Sequence, residues 1–160
     1  MKRIEGTAGI KLIECVSPAK DKWRIRWDVN EKEFGLADYM EAEFDHRPTA
    51  DEILSVVFEY YNNQTDNIIL SGCMYEGNLV WLSRENQFNY KAAFDRAWQT
   101  NGKSLPIKVK LGTDKSPVYR DFNSLNELTD FYTTCMQHIQ TTLESGWRKK
   151  DEFNLSLYVE

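Results

Sequence analysis

The sequence predicts an α+β fold, in which an antiparallel sheet from an N-terminal strand meander and two β-hairpins packs against three helices. Two segments, 22–29 and 39–46, alternate apolar and polar residues, which is typical of strands with one buried face. Three other segments repeat apolar residues every three or four positions, which is typical of amphipathic helices. No strand–helix–strand crossover is required by this order of elements, so a doubly wound parallel fold is disfavoured.

The length and composition predict one domain over residues 1–160, large enough to bury its own core. Aromatic residues make up 13% of the chain, too many for a disordered protein. The net charge of -5 argues against sequence-independent binding to nucleic acid phosphates. No apolar run approaches the roughly 20 residues of a membrane span, and the N-terminus lacks the apolar core of a signal peptide.

The predicted meander contains residues 10–16 and the two alternating segments. In 22–29, Trp27 lies on the apolar face and Arg26 on the polar face, and 39–46 carries Glu41 on its polar face. Antiparallel pairing of these strands would set arginines against glutamates on the solvent side, at about 0.2–1 kcal/mol per pair. These pairs are therefore expected to help the register rather than to hold the fold.

Capping signals mark the starts of the three predicted helices. Thr49 with Glu52 and Ser124 with Glu127 fit the capping box, and Ser83 fits an N-cap. The predicted helices span, in chain order, about 49–62, 84–100 and 124–145.

The predicted helix ends depend on polar residues and glycines. The polar run 62–67 is expected to interrupt the first helix, while Gly102 and Gly146 are expected to stop the second and third. Residues 1–8 are predicted to be a loose tail. The segment 152–160 is apolar for a free end, so it is expected to dock as a strand or to touch a partner.

Two hairpins are predicted at 73–82 and 105–122. The consecutive apolar residues 80–82 predict a strand covered on both faces. In the second hairpin, Lys108 and Lys110 alternate with apolar residues and are expected to point outward.

The candidate binding residues lie in the first turn of the second helix, where backbone amides can hold an anion. Polar side chains are also ordinary caps at this position, and the sequence favours that structural role. Trp147 is a further candidate, because exposed aromatic residues supply contact area at interfaces. The four candidates in the helix are Arg84, Asn86, Gln87 and Asn89.

Two other kinds of function stay open in the sequence. A small enzyme could use residues 84–89 with Asp114, or a pair formed by Cys135 and His138 on one helix. A nucleic-acid binder could use a basic set, namely Lys108, Lys110, Arg120, Arg148, Lys149 and Lys150.

Neither a catalytic motif nor a metal-binding spacing is found. His46 and His138 are the only histidines, and the three cysteines, which are widely spaced, form no CxxC. We therefore expect no catalytic residues, no metal and no cofactor.

Several long motifs resemble uncharacterised phage and prophage proteins of Bacteroides-type gut bacteria. They include "KWRIRWDV", "ILSGCMYEGNLVWLSRENQFNYKAAFDRAWQTNG" and "LTDFYTTCMQHIQTTLESGWRKKD", in matching order over residues 22–151. These proteins are similar to a domain of unknown function found with phage tail genes. The resemblance implies a virion or tail-assembly accessory protein, made in the bacterial cytoplasm, with phage tail components as partners. The apolar C-terminal tail and the exposed aromatic residues would also supply contact area for a second copy of the chain. The sequence therefore favours a non-enzymatic protein-interaction module.

Overall fold

The computed structural model describes residues 1–159, which fall into two compact units. The first unit combines Met1–Tyr61 with the C-terminal residues from Lys149 onward, and the second unit is Asn62–Arg148. Each unit has its own cluster of buried apolar side chains. The prediction that residues 1–160 form one domain is not tested by this division and stays a prediction.

The first unit is built on a four-stranded antiparallel sheet. Its strands are β1 (Lys2–Thr7), β2 (Ile13–Ser17), β3 (Lys22–Glu31) and β4 (Leu36–Phe44). The order β1-β4-β3-β2 makes β2, β3 and β4 a meander, with β1 added beside β4.

The core of the first unit lies between this sheet and a helix. Ile25 and Trp27 of β3 are buried on the face that packs with Ile53 and Val57 of α1 (Ala50–Ser71). The alternation in the sequence therefore assigned the buried face correctly at Ile25 and Trp27. It is wrong at Val29, which was expected on the same face but follows a register shift and is exposed.

The opposite face of the sheet is less exposed than expected. The register pairs Arg26 with Glu41, as the sequence suggested, but both side chains are buried rather than solvated. Arg26 also donates to the Lys11 carbonyl at 2.9 Å and pairs with Glu14 at 3.1 Å. The chain before and within β2 thus covers these charges, and a sequence pattern does not reveal such coverage.

The loose N-terminal tail predicted for residues 1–8 is wrong, because β1 pairs with β4 over its whole length. Arg3 explains the attachment: its Nε donates to Asp38 at 2.7 Å and its Nη1 to Asp28 at 2.6 Å. The tail is held by carboxylates and backbone pairing rather than by apolar burial, so hydrophobic periodicity gave no signal.

The C-terminal tail docks, but as a helix rather than as a strand. Residues Ser156–Val159 form the short helix α4, and Tyr158 is buried in the first core. Its hydroxyl donates to the Arg26 carbonyl at 2.7 Å, and its ring packs with Phe153. One large aromatic anchor therefore fixes the segment without any strand pairing.

The second unit contains two hairpins, the end of α1, one further whole helix and most of another. The elements are β5 (Cys73–Tyr75), β6 (Asn78–Val80), α2 (Arg84–Gln99), β7 (Ile107–Thr113), β8 (Ser116–Phe122) and α3 (Leu125–Asp151). Their core joins aromatic rings from both hairpins and two helices, with Phe131 contacting Tyr75, Tyr90 and Phe122.

The predicted starts of the helices are confirmed. Glu52 accepts from the Thr49 N–H at 2.8 Å, and Glu127 accepts from the Ser124 N–H at 3.1 Å. Ser83 accepts from the N–H of the third residue of α2 at 3.2 Å. These contacts satisfy amides that have no partner within the helix.

Two predicted helix ends are wrong. The polar run 62–67 does not break α1, because Tyr61, Thr65 and Ile69 continue its buried stripe at four-residue steps. Gly146 does not stop α3, which continues to Asp151. A Cβ on Gly146 would collide with the Thr65 hydroxyl, so this glycine allows close approach of the two helices. The predicted end of α2 is confirmed, with Gly102 at φ 81.

The α+β prediction is confirmed by this architecture. An antiparallel meander sheet and two hairpins pack with three long helices. No helix within residues 1–159 combines the length and the apolar character needed to cross a membrane.

Candidate functional site

The candidate site is a groove of about 510 Å³ in the second unit, between α2 and β7. The strand contributes the consecutive residues 107–110 to its lining. Because successive strand side chains point to opposite faces, an opening that touches all of them lies along the edge of the strand. The other lining residues are Trp81, Asn86, Asn89, Tyr90, Ala93 and Asp114. We call this opening the β7 groove.

The edge of β7 that faces the groove carries free backbone groups. Opposed residues of an antiparallel pair alternate between hydrogen-bonded and non-hydrogen-bonded pairs. Gly112 lies opposite Pro117, which has no N–H, so that pair is non-bonded. Lys110 and Lys108 occupy the next two non-bonded positions, and their N–H and C=O groups point away from β8. Among the strands of residues 1–159, β7 forms a hydrogen-bonded ladder only with β8, although β6 lies close beside it without such a ladder.

Trp81 closes one end of the β7 groove. Its indole Nε1 donates to the Gly112 carbonyl at 2.7 Å, which occupies the edge near the hairpin turn. Its own carbonyl accepts from Asn86 Nδ2 at 3.1 Å and from the Tyr90 hydroxyl at 3.3 Å. The tryptophan is thus fixed at its backbone and at its ring, while 43% of it remains exposed.

Tyr90 forms part of the apolar floor. The residue is buried, and burial raises the pKa of its hydroxyl to about 12, so it stays protonated at neutral pH. Ala93 lies one helical turn further along α2, and its small side chain fills little of the groove. The floor is therefore apolar and shallow beneath the strand edge.

Both lysines of the edge have carboxylate neighbours. Lys110 Nζ lies 2.7 Å from Asp114, and Lys108 Nζ lies 3.1 Å from Asp121. The contact with Lys110 lowers the pKa of the Asp114 carboxyl, so this pair is charged at neutral pH. Both pairs are solvent-exposed, and such pairs contribute about 0–1 kcal/mol.

The structure distributes the candidate residues predicted in the first turn of α2 over several openings. Asn86 and Asn89 line the β7 groove, and Gln87 and Arg84 line a smaller recess of about 230 Å³. Arg84 and Asn89 also share an open depression of about 530 Å³. Asn86 and Gln87 also donate to the carbonyls of residues 81 and 82, which ties the helix to the preceding chain. The structural role that the sequence favoured is thus present for two of the four residues.

Trp147 lies apart from this group. It is an exposed residue of α3 and does not line the β7 groove. Its indole ring therefore adds exposed apolar surface on α3, away from the β7 groove.

The pair of Cys135 and His138 lacks the geometry of a nucleophile and its base. Cys135 is fully buried in the second core, where its neighbour is Cys73. Its hydrogen bond with Cys73 and its burial raise the pKa of the Cys135 thiol, which therefore stays protonated. Within residues 1–159, no set of three His, Cys, Asp or Glu residues is arranged to hold a metal ion.

Three basic residues on the strands of the second hairpin have carboxylate neighbours, whereas the exposed Lys115 in its turn has no ion pair within residues 1–159. Arg120 lies 3.1 Å from Glu76 and 3.3 Å from Glu127, and both lysines have the carboxylate neighbours described above. The positive potential on which phosphate binding depends is therefore reduced at this surface.

Sequence reasoning missed Trp81 and the free edge of β7. The apolar run 80–82 suggested a strand covered on both faces, but β6 ends at Val80 and the tryptophan lies outside it. One available signal was Pro117, since a proline within a strand indicates an edge position. It identifies the outer edge of β8, but the open edge of β7 depends on how the hairpin packs.

The fold and the groove define an α+β protein with an open strand edge beside an amphipathic helix. Comparison of the chain with family models, curated proteins and solved structures finds no match.

Proposed function

We propose that the protein is a non-enzymatic protein-interaction module that binds an extended segment of a partner along β7. The observation that carries the proposal is the free edge at Lys108 and Lys110, which opens directly onto the β7 groove. An extended peptide can add to such an edge as a further strand, with main-chain hydrogen bonds supplying affinity. Each of these bonds contributes about 0.5–1.5 kcal/mol net.

The two outer edges of the hairpin differ in a way that supports this proposal. Pro117 occupies an outward position on β8, and proline is one of the residues that protect edges against unwanted pairing. On β7, Lys108 and Lys110 keep their outward N–H groups, and α2 supplies a wall beside them. The β7 edge therefore keeps its outward N–H groups at both lysines, whereas the β8 edge lacks one at Pro117.

The phage context belongs to the same proposal. The resemblance of residues 22–151 to phage and prophage proteins supports a role in phage tails or in tail assembly, with a tail component as the partner. The site of action is then the bacterial cytoplasm, where tails assemble. A second copy of the chain is the alternative partner.

The groove offers less support for catalysis. Its ionisable lining groups are Lys108, Lys110, Asp114 and Tyr90, and the first three are engaged in exposed ion pairs or point to solvent. General acid–base work requires groups that converge on one reacting atom. The free backbone groups of β7 therefore support binding of a partner better than they support catalysis.

A pair of proline variants tests the proposal. Lys110→Pro removes an outward N–H without breaking the β7–β8 ladder, so it should abolish strand addition. Tyr119→Pro is the matched control, because it lies directly opposite and removes the outward N–H of β8. Proteins captured from phage-producing cells should be retained by the wild type and by Tyr119→Pro, and lost from Lys110→Pro.

Hydrogen exchange provides a second readout on the captured complex. The amides of Lys108 and Lys110 should exchange rapidly in the free chain and slowly in the complex. Equal capture by Lys110→Pro and the wild type, with both variants folded by circular dichroism, would contradict strand addition at β7.

A further inference from the structure

We infer that the β7 groove selects an acidic extended strand, in which carboxylate and apolar side chains alternate. The inference rests on the proposed function and adds the chemistry of the partner segment. It follows from the side chains that flank the free edge.

The two lysines determine which side chains a partner strand should carry at the positions opposite them. Lys108 and Lys110 share the outer face of the hairpin, since they are two residues apart on one strand. A residue directly opposite on an added strand would have its Cβ about 4.5–5.5 Å away on the same face. Carboxylates at both of these positions would complete two cross-strand ion pairs.

The present partners of the lysines do not prevent this exchange. Asp114 lies in the hairpin turn with 94% of its side chain exposed, and Asp121 is 46% exposed. Exposed pairs are held weakly and exchange partners at little cost in free energy. A carboxylate fixed in a strand ladder competes effectively, because its backbone is already held in place.

On the added strand, the residue between the two carboxylates would face inward. Val109 separates the lysines and is buried in the core that also contains Tyr90. The partner residue opposite Val109 would point towards the same side, where the groove floor consists of Tyr90 and Ala93. An apolar side chain fits this floor, so the strand should read acidic–apolar–acidic.

Charge also excludes a second copy as the favoured occupant. Pairing two copies of the open part of this edge would place lysines against lysines. Directly opposed like charges destabilise a strand pair. The favoured occupant is therefore an acidic strand from a different protein.

Fluorescence anisotropy with labelled synthetic peptides tests the inference. The probes are a short peptide that alternates glutamate and valine and a counterpart that alternates lysine and valine. We expect the full chain to bind the glutamate peptide at least about tenfold more tightly, the effect of two ion pairs replaced by two repulsions. The preference should weaken as salt screens the exposed charges.

Charge variants locate the preference. The double variant K108Q/K110Q should lose the discrimination between the peptides, and K108E/K110E should reverse it. A matched control, K20Q/K103Q, changes exposed lysines outside the groove and should leave the discrimination unchanged. If the reversed charges of K108E/K110E disturb the fold of the hairpin, K108Q/K110Q still tests the role of the lysines.

Each outcome has a definite meaning. Equal affinity for both peptides, discrimination that survives in K108Q/K110Q, or binding of neither peptide would overturn the acidic-strand inference. Those results leave the proline test of strand addition standing, since it uses proteins from cells and depends only on backbone groups. If Lys110→Pro keeps the glutamate peptide bound as tightly as wild type, the charge preference lies elsewhere and both proposals fail.

Discussion

At the residue scale, Asp38 shows how single contacts decide structure that periodicity cannot reveal. Its carboxylate lies 2.8 Å from Lys32 Nζ and accepts from Arg3 Nε at 2.7 Å. The hydrogen bonds from Lys32 and Arg3 lower the pKa of the Asp38 carboxyl to about 2. One side chain thus links β1 to β4 and also makes that link depend on pH.

The variant Asp38→Asn should reduce the free energy of unfolding at neutral pH. An unfolded aspartate has a pKa of about 3.9. Because the folded pKa is lower, the stabilisation is complete above about pH 4 and disappears as the pH falls towards 2. Other carboxylates, such as Glu43 and Glu52, also have lowered pKa values, so urea unfolding should show a smaller stability loss in that window for the variant than for the wild type.

Asp45→Asn serves as the control for a lost charge. Asp45 is 85% exposed on the side chain and lies 3.4 Å from Lys22. Its replacement should leave the stability loss between pH 4 and 2 in place. An Asp38→Asn variant with the same pH profile as the wild type would contradict the role assigned to this carboxylate.

At the element scale, long helices and short anchors depend on particular contacts between elements. α1 runs through a polar stretch because buried side chains recur along one face, and α3 runs through a glycine because Thr65 packs against it. Local propensity is a weak prior that such tertiary contacts override. The short helix α4 is the extreme case, since four residues form no stable helix alone.

The variant Tyr158→Ala should release α4 and cost about 3 kcal/mol of unfolding free energy, as expected for deletion of a buried aromatic ring. Tyr158→Phe should cost about 1 kcal/mol, since it removes only the hydrogen bond to the Arg26 carbonyl. Denaturant unfolding measures both values.

The neighbouring Leu157 provides the matched control within α4. It is 57% exposed, so Leu157→Ala should change stability by less than about 0.5 kcal/mol. Equal effects of Leu157→Ala and Tyr158→Ala would show that α4 is not anchored by the tyrosine.

At the scale of the whole molecule, the distribution of charge determines which associations are permitted. The chain carries a net charge of -5, yet lysines stand at the open edge of β7. Lysine on an edge strand opposes pairing between identical copies. We therefore expect the lysines to which we assign the acidic strand also to oppose association of the protein with itself.

The double variant K108V/K110V should self-associate through β7, because it leaves a free edge with apolar residues and no charge. Multi-angle light scattering over a concentration series should show a rising mass for this variant. K20V/K103V, which changes exposed lysines elsewhere, should retain the mass of the wild type. A constant mass for K108V/K110V would contradict the protective role of the edge lysines.

The sequence by itself determined the elements whose signals are local. Alternation in β3 and β4 identified the buried face, and the Ser83 cap, the two capping boxes and Gly102 placed helix ends correctly. These patterns suffice because the residues that cause them are close in the chain. Part of the site was predictable for the same reason, since Asn86 and Asn89 follow a recognisable helix start.

Only the tertiary structure decided the attachment of β1, the buried Arg26–Glu41 pair and the open edge of β7. Each of these depends on which distant segment covers a given surface, and coverage is not encoded in the spacing of neighbouring residues. Lys108 and Lys110 are ordinary outward residues in the sequence, and only the tertiary structure shows that they line a groove together with α2.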